Sequence, residues 1–381
     1  MNVERGADSG SIPTPGPAPR SPREPEIDLA AAQSWRDRAA AAAHSKAGRV
    51  TWTVLKRMLQ AVPVLIGVLT ITFVVTRAIG DPVAQIAGPL ATEEDVAELR
   101  EQLGLARPVV EQYFDYLGDL VRGDLGRSLQ TQRPIVDELK ERVGGTFELI
   151  ALGTLLATIW GIVLGALAAH LRRAGRLFHG IAVGGLAVPD FVCGLVLVFL
   201  FSFTFDLAPA PIGQLELFAT PPPDKTGGVA LDALIAGEWE TFRSALKFLV
   251  LPVLTLGLIY GSPVAKMAEG AMLETRRKAF IEYAELTGLS RWRVFRYTLR
   301  NSLPSIITLS GILVGYLIGG IVLVEIVFSW GGLGQYAAQT ILALDLPAIQ
   351  AFVLIAGVLT VLIYLALDVS YALIDPRVRG R

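Results

Sequence analysis

The sequence predicts an all-α polytopic membrane protein with six transmembrane helices. Hydrophobic residues fill 52% of its 381 positions and charged residues only 18%, which is too apolar for a soluble domain of this size. Six separate segments each carry the run of about 20 mainly apolar residues that a helix needs to cross a bilayer core. Lysine and arginine concentrate in the loops on one side of these segments, as they do in multi-pass membrane proteins.

The predicted spans cover residues 57–79, 147–170, 179–205, 246–265, 303–328 and 350–373. Pro63, Pro189 and Pro252 lie in or near spans, where proline kinks a helix or marks its end. In the fifth span, small residues recur every fourth position and so share one helix face: Gly311, Gly315 and Gly319. This spacing predicts a helix-packing seam, although glycine is in any case frequent in membrane helices.

The first fifty residues differ from the rest of the chain. Residues 1–28 hold six prolines among charged and small residues, a composition that predicts disorder, and residues 29–47 are alanine-rich. No short apolar core with a cleavage site lies near Met1, so we expect the first apolar segment to remain as an anchor. The predicted organisation is an extension over 1–50 followed by one six-helix transmembrane domain over 51–381.

The distribution of basic residues sets the predicted orientation. The segment 266–302 carries eight lysines and arginines, whereas the loops 206–245 and 329–349 together carry two. The loop 80–146 is longer than the roughly 60 residues over which the positive-inside rule operates, so its charges do not count. We therefore predict that 266–302 and both termini are cytoplasmic and that 80–146 is extracytoplasmic.

The basic segment 266–302 also has an internal pattern. Its residues 280–287 have helical character, Gly288 is placed to end that helix in a left-handed conformation, and Ser290 can cap a second helix over Arg291–Arg300. A helix, a glycine and a second helix suit docking on a partner protein. A basic loop that contacts anionic lipid would show the same pattern, and the pattern alone does not decide between them.

Catalytic and metal-binding motifs are not found. The sequence has no Gly-x-x-x-x-Gly-Lys-Ser/Thr phosphate loop, no His-Glu-x-x-His and no Ser/His/Asp constellation. One cysteine, Cys193, and three scattered histidines do not suggest a metal site, and a net charge of -1 does not suggest a nucleic-acid partner. We predict that the chain has no catalytic residue, metal or cofactor of its own.

The cytoplasmic segment resembles the EAA loop of ABC importer permeases. Glu282, Tyr283 and Ala284 stand in the places of Glu-Ala-Ala, Gly288 stands in the place of the glycine, and Leu303-Pro304 supplies the end of the motif. Tyr283 and the later Leu-Pro depart from the general consensus, but both are similar to the peptide/nickel branch of the family.

Three further motifs extend the resemblance over about residues 53–380. Gly123, Asp124, Leu125, Gly126 and Ser128 form a Gly-Asp-Leu-Gly-x-Ser run that resembles the first extracytoplasmic region of the family. The segments 324–335 and 368–379 resemble the region after the fifth span and the C-terminal signature. The chain is thus similar to B-type permeases of dipeptide, oligopeptide and nickel importers, the DppB and OppB group.

This resemblance implies a type I importer permease with a MetI-like fold in the cytoplasmic (inner) membrane. It implies that a partner ATPase grips the helix around Glu282, Tyr283, Ala284, Glu285, Leu286 and Gly288. Expected partners are a C-type second permease, two ATP-binding subunits that hold ATP and Mg, and an extracytoplasmic solute-binding protein. The expected cargo is a peptide or a related solute such as nickel, and no residue that contacts it is predicted. A passive channel or another kind of membrane subunit is the alternative, and it would need no ATPase.

Overall fold

The structure is a computed structural model, which describes residues 57–78 and 91–374 apart from Leu103, Arg172 and Arg173, together with Leu55, Val83 and Ala87. Side chains are described up to Leu365, except that of Gln102. The predicted extension over 1–50 lies outside the described residues, and so do the side chains of the C-terminal motif.

Helices are the regular elements of the described part of the chain. They are α1 Arg57–Ala78, α2 Glu93–Gln102, α3 Val109–Val121, α4 Ile135–His170, α5 Gly175–Gly185, α6 Asp190–Val198, α7 Val229–Ala236, α8 Trp239–Arg276, α9 Ala279–Leu286, α10 Arg291–Val327, α11 Leu333–Leu342 and α12 Leu346–Ile374. A π-helical turn, Phe199–Thr204, continues α6. This architecture is the all-α polytopic fold that the sequence predicts.

Five helices are long and apolar enough to cross a membrane: α1, α4, α8, α10 and α12. The third predicted span is different, because α5 and the α6 segment meet at an angle of 107°. The third predicted span, 179–205, is thus a bent pair of helices, and the prediction that Pro189 kinks or ends a helix is confirmed. Pro189 lacks an N–H group and has an extended backbone (φ -61°, ψ 141°), so the helix stops before it and restarts at Asp190.

The helices α4 and α8 form the centre of the bundle, and glycines bring them together. A Cβ atom added to Gly153 would lie 2.8 Å from Leu256 Cδ1, and one added to Gly165 would lie 2.5 Å from Ala265 O. From the other helix, a Cβ on Gly261 would lie 3.0 Å from Trp160 Cδ1. Only a residue without a side chain fits at such distances, so small residues on both helices allow the close approach.

Several helices extend beyond their apolar spans. The helix α8 has 38 residues and α10 has 37, whereas the spans predicted in them cover only 246–265 and 303–328. Pro252 and Pro263 lie inside α8 and Pro304 lies inside α10. The second helix of the basic segment, predicted to end at Arg300, continues through Pro304 to Val327. A proline removes one backbone hydrogen bond, and neighbouring helices hold the rest of the helix in place.

Candidate functional site

The short helix α9 presents the predicted docking residues to solvent. Ile281 and Ala284 are buried against the ends of α8 and α10. Tyr283 and Leu286 are 70% and 81% exposed, and Glu282 and Glu285 are exposed as well. One face of α9 therefore holds the helix to the bundle, and the opposite face offers two carboxylates and two large apolar side chains to another molecule.

Gly288 ends α9 in the way that the sequence predicts. Its φ is +78°, and its N–H donates to Glu285 O at 3.1 Å, while Leu289 N–H donates to Ala284 O at 3.1 Å. These two bonds define a Schellman motif, which requires a left-handed residue at the position of Gly288. The Thr287 hydroxyl also donates to Tyr283 O at 2.9 Å. The exposed end of α9 thus has a fixed geometry.

The two long helices that flank α9 are tied together close to it. The Thr275 and Ser302 hydroxyls, on α8 and α10, lie 3.1 Å apart and are both buried. Met272 is fully buried and packs in one cluster with Phe295 and Leu299. Ser290 occupies the N-cap position of α10, but its side chain makes no capping hydrogen bond. The helix α9 is therefore joined to two long helices that also contact each other.

At the other end of the bundle, the Gly-Asp-Leu-Gly-x-Ser run forms a compact loop. Gly123 and Gly126 have φ of +79° and +78°, and Gly126 N–H donates to Asp124 Oδ1 at 2.8 Å. Leu125 packs against the apolar cluster of α4, α11 and α12. We refer to this end of the bundle, opposite α9, as the Ser128 end.

Ser128 connects the loop to the start of α12. Its hydroxyl donates to Asp345 Oδ2 at 2.6 Å, and the two residues are 2% and 1% exposed. The same hydroxyl oxygen accepts hydrogen bonds from the backbone N–H groups of Gln130 and Thr131, at 3.2 and 3.0 Å. A buried hydrogen bond to a charged group is stronger than a neutral one, so this contact holds segments that lie 217 residues apart in the sequence.

Glu138 makes a second polar connection at the Ser128 end. One oxygen accepts from the Thr131 hydroxyl at 2.6 Å, and the other accepts from the Tyr336 hydroxyl on α11 at 2.9 Å. Burial raises the pKa of Tyr336 well above its ordinary value, and the hydrogen bond to Glu138 adds to this effect. The Arg142 guanidinium lies 4.8 Å from the centre of the Tyr336 ring.

Glu325 makes the third connection and is completely buried near the end of α10. Its Oε1 accepts from the Thr146 hydroxyl at 2.5 Å, and its Oε2 accepts from Gln335 N–H at 2.9 Å. Thr146 Oγ1 in turn accepts from Leu333 N–H at 2.8 Å. Glu325 thus joins α4 to the first turn of α11, which is a structural role.

The glycines of the fifth span do not all have the same surroundings. A Cβ on Gly315 would collide with the Tyr364 hydroxyl of α12, whereas a Cβ on Gly319 would meet nothing within 4 Å. Gly311 is buried in α10. The seam over these three glycines stays a prediction, and among the described residues several glycines pack α4 against α8.

Sequence reasoning did not single out several residues that organise the Ser128 end, among them Glu138, Thr146, Trp330 and Asp345. Trp330 is 2% exposed, and its indole N–H donates to Gly145 O at 3.0 Å. Each of these residues acts through a partner far away in the sequence, so no local pattern marks it. Within the described ranges, no group of three or more His, Cys, Asp and Glu side chains is arranged to hold a metal ion.

An apolar bundle with long membrane-spanning helices and a short solvent-exposed helix at one end defines a polytopic membrane protein. The profile of the family described as "Binding-protein-dependent transport system inner membrane component" matches residues 161–380, and the profile of its N-terminal region matches residues 51–150. The chain therefore belongs to this family of permease subunits of ABC importers and is a multi-pass protein of the inner membrane.

Curated relatives match along most of their length. The "Probable D,D-dipeptide transport system permease protein DdpB" of Escherichia coli K12 is 39% identical over 332 residues, which is 86% of this chain and 97% of the relative. The di/tripeptide permease DppB of Pseudomonas aeruginosa is 36% identical, with 86% and 98% covered. The glutathione permease GsiC of Escherichia coli O6:H1 is 32% identical over the same shares. These matches support the importer and not the passive channel.

Proposed function

We propose that this chain is the B-type permease subunit of an ATP-driven importer of short peptides. It forms half of a translocation path that opens alternately to the two sides of the membrane. The observation that carries the proposal is α9, an exposed helix that is fixed by the Schellman motif at Gly288 and joined to two membrane-spanning helices. The basic residues of 266–302 support a cytoplasmic location for α9 and for both termini.

Energy enters through α9. Two partner ATP-binding subunits bind ATP and Mg. One of them binds the exposed face of α9, which is formed by Glu282, Tyr283, Glu285 and Leu286. When the ATPases close on ATP, they pull α9, and the α8–α10 pair tilts with it because Thr275 and Ser302 tie the two helices. Transport is driven because the ATPases bind one of the two permease conformations more tightly than the other.

The Ser128 end faces a solute-binding protein in this proposal. Ser128, Glu138 and Glu325 each join the loops of this end to the bundle, so a receptor that docks there meets a fixed surface. A C-type permease completes the path. The names of the relatives refer to D,D-dipeptides, di/tripeptides and glutathione, and this supports a short peptide rather than nickel as the cargo.

Reconstitution tests the proposal. The chain is co-expressed with a C-type permease and two ATPases and placed in proteoliposomes with a solute-binding protein and radiolabelled dialanine. We expect ATP-dependent accumulation against a gradient and co-purification of the ATPases in mild detergent. Flux that needs neither ATP nor the ATPases would instead indicate the passive channel.

A further inference from the structure

The break between α5 and α6 places a carboxylate near the middle of the membrane. Asp190 is the first residue of α6, and its side chain reaches Tyr260 of α8. Along α8, Tyr260 lies 13 residues after Lys247 and six before Lys266. With a rise of 1.5 Å per residue, these charges are about 20 and 9 Å away, so Tyr260 and Asp190 lie within the hydrocarbon core.

Three helices meet at this carboxylate. Asp190 Oδ1 accepts from the N–H of Phe191 at 2.8 Å, and Oδ2 accepts from the Tyr260 hydroxyl at a long distance of 3.4 Å. On α10, a Cβ atom at Gly320 would lie 3.5 Å from Asp190 Oδ2 and would overlap the Tyr260 hydroxyl. The Tyr260 hydroxyl occupies the space that a side chain at this position would fill, so glycine allows the hydroxyl and the carboxylate to approach each other here.

Asp190 lies in the first turn of α6 and has no basic side chain as a partner within the described part of this chain. None of the ion pairs that the described residues form includes it. The other acidic side chains that the structure describes in the apolar segments, Glu325 and Glu148, have closer hydrogen-bond donors. Glu325 is fully buried among donors, and Glu148 lies at the first turn of its span, where it accepts a hydrogen bond from Leu231 N–H at 2.6 Å. Asp190 has one long side-chain hydrogen bond.

Asp190 is partly exposed in this chain, and residues within four positions of it or of its neighbour Gly320 are exposed as well. Leu186 and Val188 in the break are 51% and 40% exposed, Tyr316 of α10 is 65% exposed, and Gly319 has free space in front of it. A carboxylate and a tyrosine in mid-membrane are costly against lipid tails, and intramembrane acidic residues face a water-filled path or a polar partner instead. This surface therefore faces the path and not the lipid.

We propose that Asp190 binds the ammonium group of the peptide at the midpoint of translocation, with the Tyr260 hydroxyl as a neighbouring hydrogen-bonding group. A primary ammonium group is the cation that a free peptide amino terminus carries, and a partly exposed carboxylate without a basic partner can accept hydrogen bonds from it. The inference rests on the proposed function, because it assumes that peptides cross beside this surface.

Uptake by the reconstituted complex, with its binding protein and labelled dialanine, tests the site. Asp190→Asn keeps the shape and removes the charge, so we expect uptake to fall roughly tenfold or more, as for the loss of one charge-assisted hydrogen bond. Asp190→Glu restores part of the uptake. Asp206→Asn makes the same exchange at an exposed position beyond α6, so it serves as the matched control and leaves uptake unchanged. The ATPase activity stimulated by the loaded receptor is kept in all three variants, because α9 is untouched.

The native thiol gives a second measurement without any substitution. Cys193 is the one cysteine of the chain, and its modification by a water-soluble methanethiosulfonate can be followed by mass spectrometry of this subunit. We expect receptor-delivered dialanine to slow this modification in the wild type and not in Asp190→Asn. Equal uptake by wild type and Asp190→Asn, or equal labelling with and without peptide in the wild type, would overturn the site. A wild-type complex that transports no peptide would instead overturn the proposed function.

Discussion

Gly288 offers the sharpest test of how α9 works. Its φ is +78°, but a Cβ atom there would meet nothing within 4 Å. Gly288→Ala therefore introduces backbone strain without a steric clash, and a left-handed residue with a side chain costs roughly 1–2 kcal/mol. If the undocked loop relieves this strain by leaving the Schellman geometry, the apparent affinity for the partner ATPase falls by a factor of roughly 5 to 30.

The matched variants separate strain from charge. Asparagine accepts the left-handed conformation better than alanine, so Gly288→Asn should bind the ATPase almost as well as the wild type. Aspartate has nearly the same shape as asparagine, but Gly288→Asp adds a negative charge beside the exposed Glu282 and Glu285. We expect it to uncouple transport while the subunit stays in the membrane.

The measurement is binding of the purified ATPase to the permease in nanodiscs, together with ATP-driven uptake in proteoliposomes. Equal affinities for Gly288→Ala and Gly288→Asn would show that the left-handed backbone does not matter. Normal uptake by Gly288→Asp at normal expression would refute the assignment of this surface to ATPase docking.

Three further predictions concern stability. Thr146→Val removes the 2.5 Å hydrogen bond to buried Glu325 and should destabilise the detergent-purified protein by about 2 kcal/mol. Thr154→Val on the same helix removes a buried hydroxyl without a partner and should be neutral or stabilising. Thermal unfolding compares the stability of the two variants, and equal losses would contradict the role of Thr146. Gly165→Ala should overpack the α4–α8 contact at a cost of about 1–3 kcal/mol and so lower the yield of monodisperse protein. Gly180→Ala has free space around it and should not change the yield. Size-exclusion chromatography compares the two yields, and equal yields would contradict the prediction. Since the pKa of Tyr336 is raised in the folded state, its contribution is fully present below its unfolded pKa of about 10 and is lost as pH rises beyond that value. Thermal stability should therefore fall above about pH 10, and Tyr336→Phe should reduce this slope; an unchanged slope would exclude Tyr336 as its source.

The features that the sequence predicts well are those with local causes. Runs of apolar residues locate the membrane-spanning helices, and the Schellman end at Gly288 follows from one glycine after a short helical stretch. Pro189 is predicted as a kink or an end for the same reason. The angle of the break, 107°, is not predictable from Pro189, because it depends on how α5 and α6 pack against α8.

The polar connections of the Ser128 end could not be predicted from the sequence, because they join residues that are far apart in it. Ser128 belongs to a motif that the sequence reveals, but its partner Asp345 lies 217 residues away and carries no motif of its own. Glu325 is visible as an acidic residue near the end of a span, and its pairing with Thr146 becomes evident only from the packing of α4 on α10. Hydropathy also understates the helix lengths, because the polar ends of α8 and α10 stay helical through contacts with each other.

The length of those helices sets the distance between the docking helix and the lipid. Beyond Lys266, α8 continues for ten residues, and α10 begins 12 residues before Leu303, so the ends that carry α9 extend about 15 and 18 Å past the apolar spans. A lipid headgroup layer is only about 5–8 Å thick on each side of the core. An ATPase can therefore surround α9 without displacing headgroups, and the strength of coupling should depend little on the lipid composition of the membrane.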